Sequence, residues 1–208
     1  DGTDDYIDLG RPSDLNFTPQ SNAFSLACWI KTESYGTIYS LGASNDVNQT
    51  QVKLVVRQDN GGIEVNIGGE VSYGSTPVND GNWHHIAITV PNSTSGIKMF
   101  IDGSQQTFAS GNGSIGIVTS NESGNIGART NGTGYFYNGK IEDLSIWSYE
   151  LNVNEISAHM LGDFDDSDPG LVGYWKMNAG EGDILYDHSG NATMEQLMVV
   201  LNGVTMNQ

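Results

Sequence analysis

The residues whose types and spacing could do chemistry are two adjacent histidines, His84 and His85, two adjacent acids, Glu142 and Asp143, and an aromatic triplet, Tyr135-Phe136-Tyr137. One metal ion would need both imidazoles on the same side, but neighbouring side chains of a strand point to opposite faces, so the histidines should diverge. No serine or cysteine nucleophile accompanies them in a triad-like context. A structural role is expected, with one histidine packed beside Trp83 and the other at a sheet rim. Glycoside hydrolysis needs two carboxylates flanking the scissile bond, about 5–5.5 Å apart in a retaining enzyme. Glu142 and Asp143 would face opposite ways on an ideal strand. Glu181-Gly182-Asp183 has a better period but lies in a glycine-rich turn with no third acid, and no Glu-x-Asp-x-(x)-Glu cluster occurs. The expectation is a protein that is not an enzyme.

Recognition chemistry is better supplied. Carbohydrate binding uses an exposed aromatic ring beside amide and carboxylate groups. Segment 129–139 gathers Arg129, Asn131, Tyr135, Tyr137 and Asn138, the candidate ligand-binding residues, with Tyr35, Tyr39 and Tyr73 as further rings. The alternative is that one or two of the aromatic triplet enter the core while the rest cover the loop. Trp29, Trp147 and Trp175 sit in strand patterns, which favours packing.

The elements that must position these residues are mostly strands. In 83–90, Ile86, Ile88 and Val90 alternate with Trp83, His85, Ala87 and Thr89; in 97–102, Ile97, Met99 and Ile101 alternate with Lys98, Phe100 and Asp102. Period-two alternation around the turn Pro91-Asn92-Ser93-Thr94-Ser95-Gly96 reads as a β-hairpin. Similar runs near 5–9, 24–31, 37–42, 51–57, 62–67, 70–73, 105–108, 123–128, 139–147, 171–177 and 196–201 predict an antiparallel β-sandwich. Asn60-Gly61-Gly62 marks a tight hairpin turn. One short helix is predicted, capped by Asn152, presenting Val153, Ile156 and Met160 along one face and ended by Gly162. Residues 1–162 should form the core unit. Residues 163–208, an acidic linker followed by further strands, should close the same sandwich or pair with a neighbouring module.

Charge narrows the partners. Against 8 basic residues stand 25 acidic ones, a net charge of −17, which repels nucleic acid and anionic membrane. No apolar run is long enough to insert in a membrane. The lone cysteine, Cys28, falls on the apolar side of its strand and reads as a buried, inert thiol. Seven Asn-x-Ser/Thr sequons, at Asn16, Asn48, Asn92, Asn112, Asn121, Asn131 and Asn191, suggest a glycoprotein or simply polar loops.

The order of Asp1-Gly2-Thr3-Asp4-Asp5-Tyr6, Phe24-Ser25-Leu26-Ala27-Cys28-Trp29-Ile30, Gly81-Asn82-Trp83-His84-His85-Ile86, Ile101-Asp102-Gly103 and Gly139-Lys140-Ile141-Glu142-Asp143-Leu144-Ser145-Ile146-Trp147 resembles laminin-G-like modules of the concanavalin A-like lectin/glucanase superfamily, and more distantly pentraxins. The resemblance implies a jelly roll. It also implies a structural Ca2+ held by Asp5, Asp143, Asp187 and Asn191, with Asp4 as a substitute; the alternative is that these residues cap turns. Segment 127–134, where pentraxins carry acidic calcium ligands, has no carboxylate.

The function expected is a non-catalytic, extracellular or cell-surface binding and adhesion module for carbohydrate or a protein surface. Two alternatives stay open. One is a structural repeat or surface-assembly subunit, homo-oligomeric or in tandem, that pairs through its C-terminal strand; the other is a degenerate glycosidase.

Overall fold

The computed structural model describes residues 2–10, 22–42, 52–116, 124–129, 134–177, 185–189 and 201–202. In chain order the strands are β1 (Tyr6–Asp8), β2 (Phe24–Thr32), β3 (Gly36–Leu41), β4 (Val52–Val56), β5 (Ile63–Ile67), β6 (Glu70–Tyr73), β7 (Trp83–Val90), β8 (Lys98–Ile101), β9 (Ser104–Gln106), β10 (Gly124–Ile126) and β11 (Gly139–Trp147). Helix α1 (Val153–Leu161) follows, then β12 (Leu171–Trp175) and β13 (Leu201–Asn202). Seven strands form one sheet in the order β13-β1-β10-β3-β4-β5-β6, and six form the other in the order β12-β11-β2-β7-β8-β9. Every pairing is antiparallel.

Alternation explains the stacking. Leu26, Cys28 and Ile30 of β2 and Ile86, Ile88 and Val90 of β7 share one buried core with Leu41, Leu54, Val56, Val65 and Ile67 of the facing sheet. Ile97, Met99 and Ile101 join it, so the alternation of the central hairpin holds. Cys28 is wholly buried there, and burial pushes its thiol pKa up. The expected strand at 196–201 is described only at its end; residues 196–200 lie outside the described residues.

The second face of the six-stranded sheet carries a smaller cluster. Ala27, Ala87, Phe100 and Trp147 pack there against Leu151, Ile156, Leu171 and Tyr174. Small residues at Ala27 and Ala87 leave room for α1. Its N-cap Asn152 accepts from the backbone N–H groups of Asn154 and Glu155, and Glu155 returns a bond to Asn152, a complete capping box. Gly162 ends the helix in the left-handed region, at φ 67°. The helix boundaries match the sequence reading but its buried face does not. Ile156 and His159 are buried, whereas Val153 is 55% exposed. The inward face is set by what lies beneath it on the sheet, and a polar residue was needed there.

Both strands of the C-terminal region join this sandwich. β12 extends the six-stranded sheet beside β11, and β13 lies against β1 at the edge of the other. Trp175 and Leu185 are buried in the main core.

Candidate functional site

The loop between β10 and β11 and the turn between β2 and β3 meet at one rim of the sandwich. The base of the loop is closed by the N–H of Tyr137 donating to the carbonyl of Gly127 (2.7 Å) and that of Arg129 donating to Gly134 (3.2 Å). Thr37 N–H donates to the Tyr135 carbonyl (2.8 Å), and the Thr32 hydroxyl donates to the Asn138 carbonyl (2.5 Å). Gly36 permits this approach: a Cβ there would sit 2.6 Å from Tyr137 Cα. The loop is therefore tied to the sheet by its backbone.

The aromatic triplet divides. Tyr135, in the left-handed region at φ 50°, is 43% exposed. The Arg129 guanidinium lies 3.4 Å from its ring centroid, and Tyr35, 39% exposed, meets it edge to face at 6.1 Å. Phe136 is half-buried near Tyr6. Tyr137 is only 5% exposed, and burial raises its phenol pKa. It anchors the loop from within the core and offers no face to a ligand; the left-handed backbone of Tyr135 breaks the extended run, so residues 135 and 137 do not share a side as simple alternation would require. Asn138 is exposed, its side chain close to Gly2; Asn131 lies outside the described residues. Of the other tyrosines, Tyr39 is in the core and Tyr73 lies under Arg57 on a distant strand. Tyr135, Tyr35 and Arg129 thus form a platform that can stack on an apolar ring face and donate hydrogen bonds beside it.

The two histidines diverge, one to the rim as expected and the other to a different tryptophan from the one expected. His84 sits at the rim with Nδ1 2.8 Å from Asp102 and Nε2 3.1 Å from Asp80. Burial opposes its protonation, yet the bonds to Asp102 and Asp80 prevail and raise its pKa. Asp80 accepts from the backbone and side chain of Asn82 and from His84, and its pKa falls to about 2. His85 packs against Trp29, its cross-strand partner, rather than Trp83. Its Nε2 is 2.8 Å from His159 Nδ1, and His159 Nε2 is 2.8 Å from Ser145 Oγ. This order mimics a nucleophile, a base and an orienting group. All three residues are at most 2% exposed, and Ser145 Oγ already accepts from Trp147 Nε1 at 2.9 Å. Sealed beneath α1 and stacked on Phe164, the chain of groups is a buried polar network. Sequence reasoning missed it. The available signal was His159, three residues after Ile156 on the same helix face.

Strand β11 corrects a second expectation. Its pairing with β2 shifts between Glu142 and Ser145, and Asp143 adopts φ 50°. A bulge breaks the alternation on which the opposite-facing argument depended. Asp143 accepts from the Tyr174 hydroxyl at 2.8 Å. Asp187 Oδ1 accepts from the backbone N–H of Tyr174 and Ser189, at 2.9 and 2.8 Å, while its Oδ2 is buried without a hydrogen-bond partner among the described residues. Asp5 is half-buried at the start of β1, Asp4 is exposed, and Asn191 lies outside the described residues. Among the described residues no three His, Cys, Asp or Glu side chains come together as a metal-binding group. The unpaired oxygen of Asp187 is the feature of the expected calcium set that suits a hard cation.

Two stacked antiparallel sheets with one short helix define a sandwich of the jelly-roll class. The chain belongs to the concanavalin A-like lectin/glucanases superfamily, its residues 1–157 matching a laminin-G-type family model. A mouse protein, "Sushi, von Willebrand factor type A, EGF and pentraxin domain-containing protein 1", is 28% identical over 148 residues, 66% of this chain and 4% of that protein's length. Among solved structures, a candidate carbohydrate-binding protein from Bacteroides ovatus aligns over 98% of this chain and 57% of its own, with TM-score 0.71 and 22% identity. Domains LG4-5 of the mouse laminin alpha1 chain align over 74% of this chain and 42% of theirs, with TM-score 0.51 and 18% identity. At these identities the structural matches establish the fold. No helix among the described residues is long and apolar enough to cross a membrane.

Proposed function

We propose that this chain is a non-enzymatic, extracellular module that binds carbohydrate through Tyr135, Tyr35 and Arg129. The observation that carries this reading is the exposed tyrosine pair with a guanidinium held 3.4 Å from one ring, on a loop fixed by backbone bonds to β3. A pyranose presents an apolar C–H face for the ring and hydroxyls for the guanidinium and the Tyr135 hydroxyl. The candidate carbohydrate-binding protein from Bacteroides ovatus supports the same ligand class. The mouse relative, of which the matching part is 4%, supports a setting as one module among several. A structural calcium ion belongs to this proposal, with Asp187 Oδ2 as its first ligand.

A glycan array probed with the wild-type chain and with Tyr135→Ala and Arg129→Ala tests the reading, in calcium and in EDTA. The expected result is binding by the wild type that falls at least tenfold in each variant while melting temperature holds. Absence of glycan binding in both buffers overturns the carbohydrate assignment. A melting temperature identical in calcium and EDTA overturns the ion.

A further inference from the structure

Described elements cover one part of the second face of the six-stranded sheet. Alpha-helix α1 and the segment after it lie over the row Ser145, Ala27, Ala87 and Phe100, and His159 reaches the next row at His85. Beyond that point the outward side chains of the sheet are exposed or half-buried. Lys140 and Lys31 are direct cross-strand partners, and Lys31 is in turn paired with Trp83 on β7. Glu142 and Trp29 stand opposite each other in the adjoining row. Both lysines and Glu142 are exposed; Trp29 and Trp83 are half-buried.

Placing like charges directly opposite on neighbouring strands is unfavourable, since such side chains lie about 5 Å apart at Cβ. This chain has 25 acidic residues with which to avoid it. Its other described basic residues are all engaged. Lys53 and Arg57 pair with Glu64, Lys98 pairs with Glu150, and Arg129 and Lys176 lie over tyrosine rings. Lys31 and Lys140 make no ion pair among the described residues. They face each other beside two tryptophans, in an arrangement that costs stability and that an external anion would relieve.

We infer that Lys31, Lys140, Trp83 and Trp29 form a second ligand site, on this face of the six-stranded sheet, for an anionic saccharide. Its carboxylate or sulfate sits between the two ammonium groups, and its ring packs on the accessible part of the half-buried indoles. Glu142 borders the site and weakens it. A sugar chain with one charge per ring suits a site of two cations on a net charge of −17. A duplex with one charge per ~1.7 Å does not. The site is separate from the Tyr135 platform and does not depend on it.

The test is calorimetric titration of the full chain at low and at physiological salt. The probes are an oligogalacturonate for the carboxylate source, a chondroitin sulfate oligosaccharide for the sulfate source, a neutral oligosaccharide, and a poly-glutamate peptide. Binding of one or both acidic sugars, weakened by salt, is expected. Lys31→Gln with Lys140→Gln should lower affinity at least tenfold without lowering melting temperature, and Glu142→Gln should raise affinity. Tyr135→Ala should leave it unchanged, which separates this site from the rim. The inference falls if neither acidic sugar binds, if the double variant binds as well as wild type, or if the peptide binds as tightly as the sugars.

Discussion

His85 and His159 share one buried hydrogen bond, so their protons are not independent. Trp147 donates to Ser145 Oγ, and the Ser145 hydroxyl is 2.8 Å from His159 Nε2 against 3.5 Å from the Ala27 carbonyl. The bonds run in one direction or the other according to tautomer: His159 accepts from Ser145 and donates to His85, or donates to Ser145 and accepts from His85. His85 Nδ1 is buried without a partner among the described residues. Both rings are neutral in either pattern. Burial, with His159 as a lesser cause, lowers the His85 pKa to about 3; burial lowers that of His159 to about 4, partly opposed by Asp143. The unfolded chain takes up protons near pH 6.5 that the folded chain refuses, so stability is full above that value and declines as pH falls towards 4. Each histidine contributes a slope of up to about 1.4 kcal/mol per pH unit. Urea titrations at pH 7, 6 and 5 should show this decline, and His159→Gln should flatten it; an unchanged slope would refute the assignment. His84 behaves oppositely. Its raised pKa adds stability that is present below pH 6.5 and fades as pH rises through its folded value.

At the scale of the element, local rules served well where they were sufficient. Asn152, Glu155 and Gly162 specify the ends of α1 by themselves, because caps depend on backbone groups within a few residues. Asn152→Ala should therefore cost about 1 kcal/mol of stability in chemical denaturation, with the fold intact. The strand alternation of β7 and β8 was legible for the same reason. The bulge in β11 was not, because a reading by period two assumes an uninterrupted strand, and nothing in Glu142-Asp143-Leu144-Ser145 marks the extra residue. Nor did the aromatic triplet say which of its rings turns inward. That choice follows from the contact between Gly36 and the Tyr137 backbone, residues about one hundred positions apart in the chain.

The molecule as a whole depends on its last quarter. The family match ends at residue 157, yet β12 completes the six-stranded sheet and Trp175 is fully buried between the sheets. Replacing a buried tryptophan with alanine typically costs about 3–5 kcal/mol, a large share of the roughly 5–15 kcal/mol that holds a domain folded. A fragment ending at residue 162 loses that ring, its strand and Leu185 together. It is expected to lack a cooperative unfolding transition in calorimetry, while the full chain shows one; a fragment that melts cooperatively would show that residues 1–162 stand alone.

The pairing of the first strand with the last has a mechanical meaning. Tyr6 lies opposite Asn202 and Ile7 opposite Leu201, so the chain enters and leaves this edge at the same end of one antiparallel ladder. Tension applied through the two ends loads these hydrogen bonds one at a time, as in opening a zipper, instead of sharing the load along the strand. The sandwich is built to let go of β13 first. In a pulling experiment with handles before residue 6 and after residue 202, a low-force step that frees the final strand should precede rupture of the sheets. The module would then lengthen its tether under load while its platform and core stayed folded.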